Sequence, residues 1–174
     1  SANSRQPLSQ YLASWLYARN VRERTRDGYR VIIDLHIVPH IGSVRLDRIR
    51  PQHVQQALGA AKSAWTRAKT YRLLRSALGD AARWRLIAEN PTDLVPAPAV
   101  TSPPVVPIAD EHFYALIDRI KTDRLEALWL LFLAIGPRRG EAIAISKSTD
   151  LRLDDGTVTF RRSLQRVGGR LQFV

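Results

Sequence analysis

The sequence predicts a mainly α fold: a four-helix bundle first, then further helices leading into a small antiparallel β-hairpin of a mixed α/β domain. Three observations carry this. Apolar residues recur at i, i+3 and i+4 through the first half, the period of helices with one buried face. A proline-rich stretch, VPAPAVTSPPVVP (Val95 to Pro107), holds five of the ten prolines and separates two differently composed halves. Near the end, Gly168-Gly169 stands between two β-prone runs, the signature of a tight hairpin.

The elements follow in order. Leu8 to Asn20 places Leu8, Tyr11, Leu12, Trp15 and Leu16 on one stripe. A second helix is expected with Thr25 as N-cap, passing through Tyr29, Ile32, Ile33 and His36. It should end before Pro39, because the residue preceding a proline disfavours the α region. Pro51 announces a third helix over about Gln52 to Ala61. The fourth runs from Ser63 to about Ala88 and closes at Asn90-Pro91, with Tyr71, Leu74, Ala77, Leu78, Ala81 and Ala82 as its apolar stripe. The expected organisation is a helical domain over 1–94, a linker over 95–107 and a second domain over 108–174. An extended proline-rich linker of this length spans roughly 40 Å. That exceeds the ~12 Å width of a DNA major groove, so two domains so joined could grip different faces of a duplex. An ordinary interdomain spacer is the other reading.

Charge is the strongest compositional signal. The net charge is +11, which in a soluble chain points to a polyanion, most often nucleic acid. Residues 1–95 hold 16 Lys/Arg against 7 Asp/Glu, and residues 105–174 hold 11 against 9, so the first half carries the signal. On the fourth helix Lys69, Arg72, Arg75 and Arg83 fall in a sector of roughly 120° beside the apolar stripe, joined by Ser76. Arg26 and Arg30 on the second helix could extend this patch. Phosphate contact and a merely solvated face both fit such a cluster.

Other classes recede. There is no Cys, hence no disulfide framework and no Cys-based zinc site. The apolar runs are shorter than a membrane span and the N-terminus does not read as a signal peptide, so a cytoplasmic protein is expected. Met is absent even at position 1, which predicts that Ser1 is not the native start. His36 and His40 have i, i+4 metal-ligand spacing, but Pro39 interrupts them and no third ligand lies near, so no metal is expected. No Gly-rich phosphate loop and no Ser/His/Asp set is present. Trp15, Trp65, Trp84 and Trp129 are read as core.

In the second half, Asp110-Glu111 opens a helix into FYALIDRI, and another covers about Leu125 to Ile135. Its run LWLLFLAI reads as core. AIGPRRGEAIAI, Ala134 to Ile145, then sets Arg138, Arg139 and Glu141 between two apolar segments. Gly136 as N-cap and Pro137 at N1 would start a helix there, making Arg138 and Glu141 i, i+3 neighbours at its N-terminus. A guanidinium so placed could hold two phosphate oxygens, with Glu141 orienting it. A surface turn with an ion pair is the alternative. TVTFRRSLQRV has strand character.

Taken in order, these motifs resemble the tyrosine recombinase (phage integrase) family over nearly the whole chain. Thr25 with Tyr29, HIVPHIG, Leu46 with IRPQHV, and RSALGDAARWRLIAENP resemble its SAM-like core-binding domain; GPRRGEA and SLQRVGGRLQFV resemble the start of its catalytic domain. The resemblance implies site-specific strand exchange on double-stranded DNA at attachment sites, through a 3′-phosphotyrosyl intermediate. It implies no metal, cofactor or small-molecule substrate, and self-association on DNA. By position, Arg138 would be the first phosphate-clamping arginine and Glu141 its supporting acid; Pro137 departs from the larger apolar residue commoner there. The family's lysine, His-x-x-Arg motif and nucleophilic tyrosine lie beyond this hairpin, and no Tyr or His follows Glu141. The five tyrosines precede Arg138, and Lys147 precedes the hairpin. The chain is therefore expected to be a fragment that binds DNA without cleaving it. A non-catalytic DNA-binding accessory derived from an integrase is the alternative, and a helical RNA-binding protein a more distant one.

Overall fold

The structure is a computed structural model that describes residues 4–174. It divides into two compact units, one up to Ser102 and one from Pro103.

In the first unit, α1 (Leu8–Ala18) buries Leu8, Tyr11, Leu12, Trp15 and Leu16, the stripe its spacing predicts. Two aromatic polar tips tie it to α5 (Ala64–Arg83). Tyr11 donates its O–H to Ala77 O at 2.6 Å, and Trp15 donates Nε1–H to Asp80 Oδ2 at 2.8 Å. Burial, and then the charge of Asp80, push the Tyr11 phenol above its ordinary value.

The second helix departs from expectation at both ends. α2 (Glu23–Ile32) begins before Thr25, with Arg22 as N-cap, and the N–H groups of Thr25 and Arg26 both donate to Arg22 O. Glu23 in its first turn complements the helix dipole. Nor does the chain leave the helix before Pro39. A π turn, Ile33–Ile37, leads directly into α3 (Val38–Ile41), where Val38 N–H reaches back to Ile33 O. A proline within an uninterrupted α-helix loses one hydrogen bond and presses its ring on the carbonyl four residues earlier. The widened turn offsets the backbone just before Pro39, so the segment stays helical to Ile41. Ile33, Ile37 and Ile41 are all buried.

α4 (Pro51–Gly59) starts with Pro51 at N1, as expected, and buries Val54, Ala57 and Leu58. α5 is capped by Ser63, whose Oγ accepts from Thr66 N–H at 3.0 Å. It buries Tyr71, Leu74, Ala77, Leu78 and Ala81 from the expected stripe. Its end comes at Arg83 rather than near Ala88. Arg85 adopts φ 56°, its N–H donates to Ala82 O, and Leu86 N–H donates to Ala81 O, each at 2.9 Å. This is a Schellman stop with arginine in the left-handed position that glycine usually takes, so the sequence did not announce it.

Leu8, Leu12, Ile37, Ile41, Leu46, Leu74 and Leu78 are fully buried and form the centre of this core. Each such aliphatic side chain contributes about 1.5–3 kcal/mol by leaving water. The Tyr71 hydroxyl lies 3.3 Å from Thr92 O and 3.2 Å from Val95 O, and Val95 is itself buried. The proline-rich stretch thus begins packed on the helical unit.

The second unit has α6 (Asp110–Ile120), α7 (Glu126–Ile135) and a one-turn helix α8 (Arg139–Ala142). Two antiparallel hairpins follow: β1 (Leu151–Arg152) with β2 (Thr157–Val158), and β3 (Leu164–Val167) with β4 (Arg170–Phe173). TVTFRRSLQRV is therefore split between two strands of different sheets. Val167 pairs with Arg170 across Gly168-Gly169, both at positive φ, which is the tight turn the two glycines predict. The run LWLLFLAI does not form a closed core: α7 has no buried residue, and Trp129, Leu130, Leu133 and Ile135 are 39–53% exposed. The helix contacts α6 and α8, which cover only part of its apolar surface.

Candidate nucleic-acid interface and phosphate clamp

With its apolar stripe turned inward, α5 leaves Trp65, Lys69, Arg72, Arg75 and Arg83 exposed. Lys69 and Arg72 line a cleft of about 410 Å³ between α2 and α5, together with Thr25, Tyr29, Trp65 and Leu73. Lys69 meets no carboxylate among the described residues, and Arg72 donates Nε–H to Ala68 O at 3.3 Å within its own helix. Two cations thus stand unneutralised at one rim.

The other predicted residues are placed differently. Arg75 lies 3.7 Å from Asp93, with both side chains well exposed, a pair that solvent screens strongly. Arg30 lies 3.6 Å from Asp27, and Arg83 lies 3.1 Å from Asp80. Ser76 accepts from Arg19 Nη1–H at 3.0 Å. Arg26 is half-buried and donates to Arg19 O at 3.0 Å, just past the end of α1. Ser76 and Arg26 therefore serve the helix junction, where Arg19 also meets Asp80 at 3.3 Å and covers the Trp15 ring at 4.6 Å. Of the four tryptophans read as core, only Trp15 is buried; Trp65, Trp84 and Trp129 are 56%, 54% and 40% exposed. Trp65 precedes Lys69 by one helical turn in the same sector, and that helical phase was the available sign of its exposure.

In the second unit, Gly136 ends α7 in the left-handed conformation (φ 66°, ψ 38°) instead of starting the next helix. Pro137 follows outside the helix, and Arg138 itself is the N-cap of α8, at φ −65° and ψ 144°. The correction follows from the glycine: a helix that closes on a left-handed Gly cannot use the same residue as an extended N-cap. The expected neighbourhood of Arg138 and Glu141 nonetheless forms. Arg138 N–H donates to Glu141 Oε2 and Arg138 Nη1–H to Glu141 Oε1, both at 2.9 Å. The backbone hydrogen bond, then the guanidinium, hold the Glu141 carboxyl below its usual range. The Arg138 side chain is 87% exposed, leaving its remaining donors free for an anion. Arg139, on the first turn of α8, is also exposed.

Close packing fixes α8 beneath this pair. A Cβ on Gly140 would strike the Ser163 side chain and stand 2.9 Å from Leu164 O, so glycine lets the helix touch β3. Behind it lies a carboxylate that sequence reasoning missed. Asp150 is buried; its carboxylate accepts from Ser146 N–H at 2.8 Å and Thr149 Oγ1–H at 3.2 Å, and lies 3.6 and 3.7 Å from Arg161 and Arg162. The Ser146 hydrogen bond chiefly holds its carboxyl below the ordinary range, with Thr149 and the two arginines adding to it. Arg162 also donates Nε–H to Ala144 O at 3.1 Å and covers the Phe173 ring at 4.7 Å. Nothing in the local pattern distinguishes Asp150 from a turn residue, since its arginine partners come from beyond a hairpin.

Among the described residues no three His, Cys, Asp or Glu side chains gather as a metal set, and no helix is long and apolar enough to cross a membrane.

A helical unit with a basic face, followed by an arginine-bearing helix start packed on a hairpin, defines the class: an integrase-type fold. The chain resembles integrases in sequence and in fold. Residues 7–59 match the family described as phage integrase, N-terminal SAM-like domain. The chain is 27% identical to an integrase of Saccharopolyspora erythraea, covering 91% of this chain and 38% of that protein. It is 28% identical to a putative prophage phiRv2 integrase of Mycobacterium tuberculosis, covering 93% and 44%. Among solved structures, the Tn1549 transposon integrase in complex with circular intermediate DNA superposes with a TM-score of 0.77 at 19% identity, covering 94% of this chain and 57% of that one. A lambda integrase dimer bound to a COC′ core site gives 0.72 at 16%, covering 99% and 49%. The chain thus spans less than half the length of these curated relatives.

Proposed function

We propose that this chain grips double-stranded DNA at a recombination site and presents the first phosphate-clamping arginine of a site-specific recombinase. The observation that carries the reading is Arg138: its backbone and one nitrogen are held by Glu141 while the rest of its guanidinium faces solvent. Fixed donors aimed at a phosphate stabilise the charge that builds during transfer without a metal. Residues 1–94 serve as the core-binding domain, 95–107 as linker and 108–174 as the start of the catalytic domain. Lys69 and Arg72, helped by the more exposed of Arg75, Arg30 and Arg83, hold the backbone. Copies associate on the DNA, and the protein works in the cytoplasm of a bacterium, encoded there or by a phage.

The chemistry in this reading joins the DNA 3′-phosphate to a tyrosine. No tyrosine follows Arg138 in these residues, so the 174-residue chain alone binds and does not cleave. The same residues fit a second reading, a DNA-binding accessory that kept the clamp without the reaction.

The test is binding to a duplex as salt is raised. Log K should fall linearly with log salt, and replacing Lys69, Arg72 and Arg75 together with Ala should flatten the slope by about 0.9 for each phosphate that the variant no longer neutralises. An unchanged slope would make the patch a solvated face. A phosphotyrosyl adduct on a suicide substrate would overturn the non-cleaving assignment.

A further inference from the structure

The cleft between α2 and α5 is more than a strip of charge. Its floor and walls are apolar and aromatic, with Tyr29 and Leu73 inside and the Trp65 indole standing 56% exposed at its edge. A half-exposed indole at the edge of an apolar cleft offers its face to a flat apolar partner. Lys69 and Arg72 follow Trp65 by one and two helical turns, so the cations run along one side of the indole at steps of ~5.4 Å. The volume, about 410 Å³, suits a whole small ring system rather than a single methyl group. A ligand matching this arrangement is planar, apolar on its faces and tied to phosphates, which is a nucleotide.

We propose that this cleft takes one unstacked DNA base, stacked on Trp65 with its flanking phosphates on Lys69 and Arg72. The proposal rests on the DNA-binding reading above and adds to it a base-receiving site outside the Arg138 clamp. Stacking on an aromatic side chain tolerates every base, so the site senses whether a base is free of its helix and not which base it is. It therefore gives the first unit a preference for DNA that is locally opened.

The experiment compares the full 174-residue chain on three fluorescent DNAs: an intact duplex, a thymidine oligomer, and an abasic oligomer of the same length and phosphate count. The thymidine oligomer should bind between about fivefold and a hundredfold more tightly than the abasic one. Trp65→Ala should abolish that difference while leaving duplex affinity unchanged; Trp65→Phe, which keeps a ring, should retain part of it. A 2-aminopurine in the oligomer should be quenched by the wild type and not by Trp65→Ala. Equal affinity for the thymidine and abasic oligomers, or an unaltered preference in Trp65→Ala, overturns the base site while salt-dependent duplex binding still supports the grip. Loss of binding to all three DNAs overturns the underlying reading as well. Trp65 stands outside the buried core, and a melting curve matching the wild type confirms that each variant is folded.

Discussion

Arg138 and Glu141 hold each other twice, once from backbone nitrogen to carboxylate and once from guanidinium to carboxylate, both at 2.9 Å. The arginine caps the helix that carries the glutamate, so its position depends on the partner's charge. Glu141 has its pKa lowered in the folded state. A lowered carboxylate contributes stability that is present above its unfolded value of roughly 4.3 and lost as pH falls through the lower folded value. Glu141→Gln should therefore melt below the wild type at neutral pH, and the two curves should converge in acid below about pH 4. A gap that persists undiminished in acid would mean the carboxylate charge is not what holds Arg138.

Gly140 makes a second demand on the same helix. Alanine there would meet Ser163 and the Leu164 carbonyl, and the backbone oxygen cannot swing aside. Gly140→Ala should destabilise the second unit by about 1–3 kcal/mol, the usual cost of overpacking. Faster amide exchange in β3 would locate the damage; unchanged exchange and melting would show that α8 slides freely on the hairpin.

Asp80 joins α1 to α5 by accepting from Trp15 and meeting Arg19 and Arg83. Asp80→Ala strands a part-buried indole N–H and two guanidinium groups, and should cost about 1–3 kcal/mol in denaturant unfolding. Asp80→Asn keeps an acceptor and should lose less. If both variants lost the same amount, charge and not the indole hydrogen bond would be the cause.

Arg85 points to a gain rather than a loss. It occupies the left-handed region at φ 56°, where glycine has no steric cost. Arg85→Gly should stabilise the first unit by about 0.5–1 kcal/mol net of the extra freedom of the unfolded chain, visible as a higher melting temperature. A lower one would show that the arginine side chain contributes more than its backbone strain.

The helices of the first unit were legible because their buried residues keep strict spacing, as Leu8, Tyr11, Leu12, Trp15 and Leu16 do on α1. The Arg138–Glu141 contact was legible because the two stand three positions apart at a helix start. What escaped was whatever depends on backbone alternatives or on distant partners. Pro39 was read as a stop, since nothing local reveals a π turn. Gly136 was read as a start, since glycine serves both caps. The helix end at Arg85 lacks the glycine that usually announces it. Trp65, expected in the core from its place near an apolar face, shares its helical phase with Lys69 and Arg72 and stands exposed. Asp150 could not be read at all, because Arg161 and Arg162 reach it only after a hairpin has formed.

The π turn before Pro39 has an arithmetic consequence. Ile33, Ile37 and Ile41 recur every four residues, a beat that matches neither helix alone: an α turn takes ~3.6 residues and a π turn takes more than four. Joined in succession the two average out, and the three isoleucines keep time with the core. Wound as a plain α-helix, the same residues would overshoot by ~40° at each step of four, leaving Ile41 ~80° from Ile33. The proline ring would again meet a carbonyl. The irregular turn and the regular spacing are one adaptation.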